Sequence, residues 1–222
     1  MPIACTIPPP RAEERIVLIG TNGSGKSKMA EKLLGAWTGP AVYLDPKGDF
    51  TPPGPATVIH KPFGSAWTFH AKGRIVYRPD PDYLNGPSWR GLFRMLWERA
   101  RREGKKRPFL LYVDEAQYIA QQGAQRELAN LAITTRSLGM GLICASQRPK
   151  WVPVEIRTEA WRWYVFYLTY DDDKKEVAAY TSGRLTAEDL DRDGDPFSFW
   201  EIRREGQHPS KLAIHHCKPV RV

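Results

Sequence analysis

Residues 16–34 read IVLIGTNGSGKSKMAEKLL, and this stretch decides the fold. IVLIG (16–20) is a continuous apolar run of the kind that a strand covered on both faces requires. KSKMAEKLLGAW (26–37) reads as a helix with Met29, Ala30, Leu33 and Leu34 on one face. Between them, Gly20 to Ser27 fit the pattern GxxxxGK[ST]. Strand, glycine-rich turn and helix together are the context in which that pattern has a mechanism. Glycines let the backbone wrap an anion, and the helix that follows presents its positive end to it. Thr21, Asn22, Gly23, Ser24, Gly25, Lys26, Ser27 and Lys28 are therefore candidate ligands of a nucleoside triphosphate, ATP. Lys26 has the reach for the β- and γ-phosphates, and the Ser27 hydroxyl is suited to Mg2+.

A partner for this loop lies further on. FLLYVDE (109–115) reads as a buried strand that emerges with two acids. Asp114 is a candidate Mg2+ ligand, and Glu115 is a candidate base for polarising an attacking water. A phosphotransferase acting on a small alcohol has no need to orient water, so Glu115 favours hydrolysis. GLICASQ (141–147) reads as another buried strand, with Gln147 at the end that faces the ligand crevice of a parallel sheet. Gln147 there is either a γ-phosphate and water contact or a plain polar cap. Arg136 in TTRSLG is a candidate trans-acting arginine if the protein forms a ring, with Arg148 and Arg162 as competitors.

The remaining chain alternates strand and helix. AVYLDP (41–46), RIVYRP (74–79) and WYVFYL (163–168) read as strands. SWRGLFRMLWERARRE (88–103), AQRELANLAITTRSLG (124–139) and DDDKKEVAAYTSG (171–183) read as helices. Pro46 to Ala71 is crowded with Pro and Gly and reads as irregular loop with one short strand near TVIH. FSFWEIR (197–203) and KLAIHHC (211–217) suggest a C-terminal β-hairpin. The expected fold is α/β: a single P-loop NTPase domain over 15–222, with a mostly parallel central sheet flanked by helices. Residues 1–14, with Pro8, Pro9 and Pro10, form an extended Pro-rich N-terminal arm. It reads as a disordered tail in preference to a strap onto a neighbouring subunit.

The net charge is +8 over 222 residues, and this excess favours a polyanion such as nucleic acid as partner. The densest basic cluster, Arg99, Arg101, Arg102, Lys105, Lys106 and Arg107, fits either a DNA path or a solvated turn. Lys47 and Lys61 are further basic candidates on loops, and Trp67 is a candidate for stacking on a base. Cys5, Cys144 and Cys217 have no metal spacing, which predicts a reduced, intracellular chain with Cys144 as a small core residue. His215 and His216 lack acid or Cys companions and read as structural. No apolar run approaches the length of a membrane span.

GTNGSGKS, then VYLDPKGD, LLYVDEAQ and TTRSLGMGLICASQRP, in that order, resemble the FtsK–HerA superfamily of ring-forming DNA-pumping ATPases. The similarity spans about residues 15 to 170. VPVEIRTEAWRWYVFYLTYDDDKKEVAAYTSG is similar to the segment that follows the sensor in genome-packaging ATPases of tailless, internal-membrane viruses. The resemblance implies Lys26 and Ser27 on phosphate and Mg2+, Asp114 on Mg2+, Glu115 as base, Gln147 as γ-phosphate sensor and Arg136 as trans finger. It also implies a homo-oligomeric ring, a hexamer, acting on double-stranded DNA, with capsid or membrane-vertex proteins as partners. The location implied is the host cytoplasm, the virion or both. The alternatives are a filamentous-phage-type assembly or export ATPase and, from another class, a small-molecule P-loop kinase.

Overall fold

The computed structural model describes residues 2–62, 73–191, 197–205 and 211–219. Trp67 lies outside them, as do residues 63–71 of the Pro- and Gly-rich stretch. Among the described residues, nine strands form one sheet in the order β3-β4-β2-β5-β6-β1-β7-β8-β9. These are β1 (Arg15–Ile19), β2 (Ala41–Leu44), β3 (Thr57–Ile59), β4 (Arg74–Tyr77), β5 (Phe109–Val113), β6 (Met140–Ser146), β7 (Arg162–Val165), β8 (Phe199–Arg204) and β9 (Leu212–Cys217). Every pairing from β3 to β7 is parallel, and β8 and β9 add the expected antiparallel hairpin.

The helices are α1 (Lys26–Gly35), α2 (Gly86–Glu103), α3 (Ala116–Gln121), α4 (Gln125–Thr135), α5 (Val154–Glu159) and α6 (Asp171–Tyr180). They cover both faces of the sheet, which is why its central strands are apolar throughout. Alternate residues of β1 point to opposite sides, as the pleat demands. Val17 and Ile19 join the core under α2, α4, α5 and α6, whereas Ile16 and Leu18 join the core under α1. The short edge strand near TVIH is β3. α2 begins two residues earlier than its periodicity predicts, because Asn85 caps it by accepting from the Ser88 amide at 2.9 Å. α3 and α5, of six residues each, are too short to show a helical period and were not expected from sequence.

Two expectations about the N-terminal arm and the cysteines are corrected. The arm is docked on its own domain. Ile3 bridges to β9 through His216 and Lys218 at 2.8 Å each, and Cys5 and Ile7 pack on the α1-side core. Arg162, nearly fully buried, donates to the carbonyls of Pro8 (2.6 Å) and Pro9 (3.2 Å) and to both oxygens of Glu14 (2.6 Å each). The sequence reading missed this because Arg162 lies 148 positions from Glu14. The cysteines are not all reduced: Cys5 and Cys217 form a disulfide that links the arm to the last strand. Their sequence separation of 212 hides the pairing. Cys144 is the buried core residue expected, and burial pushes its thiol up to about 12.

Candidate functional site

The C-terminal ends of β2, β5, β6 and β1 are neighbours in the sheet, and the segments that leave them converge. β1 runs into the glycine-rich loop and α1. Gly25 precedes the helix with φ 106°, and a Cβ there would lie 3.3 Å from the Phe166 ring; Gly23 has φ 71°. These are conformations that side chains rarely adopt, so the glycines are required by the path of the loop. The Ser24 hydroxyl is buried with no hydrogen-bond partner among the described residues. The first amides of any helix also lack intrahelical acceptors. An anion that accepts hydrogen bonds satisfies both, so the residues present fit a phosphate.

Lys26 is buried, and its ammonium donates to the carbonyls of Gly20 (2.6 Å) and Thr21 (2.9 Å) within the loop. Burial holds it below the usual lysine range, with Glu115 and Asp114 opposing. Ser27 stands exposed in the first turn of α1, and Thr21 and Asn22 lie on the outer part of the loop. Lys28 is exposed and pairs with Glu31 at 3.0 Å.

Asp114 and Glu115 follow β5 directly. Asp114 is nearly buried and accepts from the Tyr112 hydroxyl at 2.7 Å. Burial pushes its carboxyl up to about 6, against the Tyr112 hydrogen bond, and the like charges of Glu115, Asp45 and Asp49 add to the rise. Asp114 and Ser27 are hard oxygen donors, the set that Mg2+ takes. Glu115 has φ 56°, a left-handed conformation that costs a non-glycine residue about 1–2 kcal/mol. The turn between β5 and α3 therefore holds this side chain in place at an energetic cost.

Three side chains hold the Glu115 carboxylate. Lys47 donates to Oε1 at 3.0 Å, Gln147 donates to Oε1 and Oε2 at 3.2 and 3.3 Å, and Gln117 donates to Oε2. Burial pushes the Glu115 carboxyl up, but these hydrogen bonds and the Lys26 charge outweigh it and hold the group below the usual range. Sheet order explains the contacts. β2 and β6 flank β5, so residues just beyond their ends fall on either side of Glu115 at the ~4.8 Å spacing of strands. Gln147 is thus more than a polar cap. Lys47 was singled out in the sequence only as a loop cation; its contact with Glu115 was missed, as were Gln117 and Tyr112. VYLDPKGD after the second strand was the available signal.

The arginine candidates separate. Arg162 is committed to the arm, and Arg148 is tied to Asp173 at 2.8 Å and lies over the Tyr170 ring. Arg136 is half-exposed, pairs with Glu159 at 3.6 Å and stands before β6, at the end of the strands opposite the loop. The seven-residue strand puts it roughly 20 Å from Gln147 at ~3.3 Å per residue. Within one chain it does not reach the site. In the basic cluster, Arg99 is buried against the Phe109 ring and Glu103, while Arg101, Arg102, Lys105, Lys106 and Arg107 are exposed. His216 stacks on Trp200 with centroids 4.5 Å apart, a structural contact.

A phosphate loop on β1, followed along the sheet by β6 and then by β5 with its acid pair, is the arrangement of P-loop ATPases, and the chain has their fold. Among solved structures it is similar to the genome packaging NTPase B204 of Sulfolobus turreted icosahedral virus 2 in complex with sulfate. The TM-score is 0.68 at 18% identity, covering 96% of this chain and 98% of that one. It is also similar to B204, the DNA-packaging ATPase of Sulfolobus turreted icosahedral virus, at 21% identity and TM-score 0.66 over 94% and 98% of the two chains. EssC (ATPases 2 and 3) of Geobacillus thermodenitrificans matches at 14% identity and TM-score 0.56, over 92% of this chain and 39% of that one. No family model matches the sequence, and no curated protein matches it. No helix among the described residues is long and apolar enough to cross a membrane.

Proposed function

We propose that this chain is an ATP-hydrolysing motor that translocates double-stranded DNA and packages a viral genome into a preformed capsid. The observation that carries this reading is Glu115. It is a strained acid beside the phosphate loop, held between Lys47 and Gln147 near the Lys26 charge. Such a carboxylate serves an attacking water. Backbone amides of Asn22, Gly23, Gly25, Lys26 and Ser27 and the Lys26 ammonium bind the triphosphate, for which Lys26 exchanges its loop carbonyls. Asp114 and Ser27 are the residues that would hold Mg2+, which supplies charge neutralisation at the β- and γ-oxygens. Glu115 takes the proton of water as its oxygen bonds to the γ-phosphorus and the bond to the bridging oxygen breaks. Gln147, which touches Glu115, reports loss of the γ-phosphate to the segment after β6.

The similarity to B204 over nearly the whole of both chains supports packaging, and the net charge of +8 supports a nucleic-acid partner. A homo-oligomeric ring, a hexamer, would carry the DNA in its channel, docked on a capsid or membrane-vertex protein in the host cell or the virion. The test is phosphate release from ATP with and without long duplex DNA. The expected result is turnover stimulated about tenfold or more by duplex. Hydrolysis indifferent to duplex supports an assembly or export ATPase. Phosphate transfer to a nucleoside or sugar supports a kinase.

A further inference from the structure

The loop after β2 is built to aim one side chain. Asp45, fully buried, accepts from the amides of Gly48 (2.8 Å) and Phe50 (3.2 Å) and from Arg78 Nε (2.8 Å). Arg78 also donates to the Phe50 carbonyl at 2.6 Å, and the Phe50 ring packs on Tyr43 and Tyr112. Both ends of the turn are thereby fixed, with Lys47 at its tip and its Nζ on Glu115.

A carboxylate offers about four acceptor positions. Three donor nitrogens, from Lys47, Gln117 and Gln147, crowd the buried Glu115 carboxylate, the Gln147 nitrogen being shared between both oxygens, so a water reaches it readily only when one donor leaves. Gln117 is locked: it is nearly buried, and its own Oε1 accepts from Ser146 Oγ at 3.2 Å. Lys47 is the mobile choice. Its side chain is 26% exposed, it is long, and its charge is attracted to an incoming triphosphate.

We infer that Lys47 is a positioning residue that holds Glu115 closed to water in the nucleotide-free chain and is drawn off it by the triphosphate. The inference rests on the reading of Glu115 as the base. It gives the nucleotide two tasks at one site: supplying the bond that is cleaved and opening the acid that cleaves it.

Lys47→Met is measured against wild type for ATP turnover without DNA. The expected result is KM lowered about three- to tenfold with kcat changed less than about twofold, because binding of the triphosphate no longer has to break the contact of Lys47 with Glu115. Lys47→Arg, which keeps a charged donor, returns the wild-type KM. In a Glu115→Gln background Lys47→Met makes no further change, since the tether acts only through Glu115. A fall in kcat at constant KM overturns the inference and makes Lys47 a transition-state cation. Wild-type values of both constants overturn it as well, as does an effect that survives in the Glu115→Gln background. Should Lys47→Met melt early, Lys47→Leu, which also lacks a donor, is read by the same criteria. Near-normal turnover by Glu115→Gln alone is a separate failure, that of the base.

Discussion

Asp114 is a carboxyl group placed where its charge is costly. Its folded pKa of about 6 lies above the ordinary 3.8, chiefly through burial. The neutral form is therefore the one that the nucleotide-free fold prefers. Its favourable contribution is complete below about pH 4 and is lost as the pH rises through about 6. Above that pH the free protein carries a penalty of up to about 3 kcal/mol, from a shift of roughly two units at 1.36 kcal/mol each. Asp114→Asn removes the ionisable group and keeps an oxygen for Tyr112. In chelator, this variant is expected to melt several degrees above wild type at pH 7.5 and level with it at pH 4. A wild type that is the more stable of the two at pH 7.5 refutes the assignment. If Asp114 holds Mg2+ as proposed, stability is sacrificed here for a carboxylate that the cation would neutralise, a familiar exchange at functional sites.

Among the elements, β7 and the arm depend on one another through Arg162 and Glu14. The pair is bidentate, and the guanidinium also holds two arm carbonyls and donates to the Tyr164 hydroxyl at 3.1 Å. Removing one buried partner leaves the other charge uncompensated, at a cost of about 3–5 kcal/mol. Arg162→Met should therefore lower the melting temperature by about 10 °C. Adding Glu14→Gln should recover much of that loss, because no lone charge remains. An Arg162→Met protein that melts within a degree or two of wild type would show that the arm is held by its disulfide and Ile3 alone. The central strands were legible in the sequence because helices cover both faces and force apolar runs. The phosphate loop was legible because its glycines are demanded by backbone geometry. The arm was not, since its anchors Arg162 and Cys217 are distant in sequence and carry no local pattern. Lys47 was quoted but misjudged for the same reason: only the β2–β5 pairing brings it to Glu115, 68 positions away.

At the scale of the whole molecule, the phosphate loop, Asp114, Glu115 and Gln147 lie at the C-terminal ends of the central strands and Arg136 at the N-terminal end of one of them. A single chain therefore keeps Arg136 away from its own phosphate loop. In a head-to-tail ring each chain offers its Arg136 end to one neighbour and its loop end to the other, as heterologous interfaces do. If Arg136 stabilises charge on the neighbour's phosphoryl group, two inactive proteins complement each other. Arg136→Ala keeps its own Glu115 and lacks a finger to lend; Glu115→Gln keeps the finger and lacks the base. Mixed in equal amounts and allowed to reassemble, they should recover roughly a quarter of wild-type turnover. Half of the sites keep Glu115, and half of their neighbours keep Arg136. Each protein alone should remain down by about a thousandfold, the size of effect an arginine finger has elsewhere. A mixture no more active than its parts, under conditions where labelled subunits exchange between rings, removes Arg136 from the trans role. Arg162 does not inherit that role, since it is nearly fully buried against the arm of its own chain.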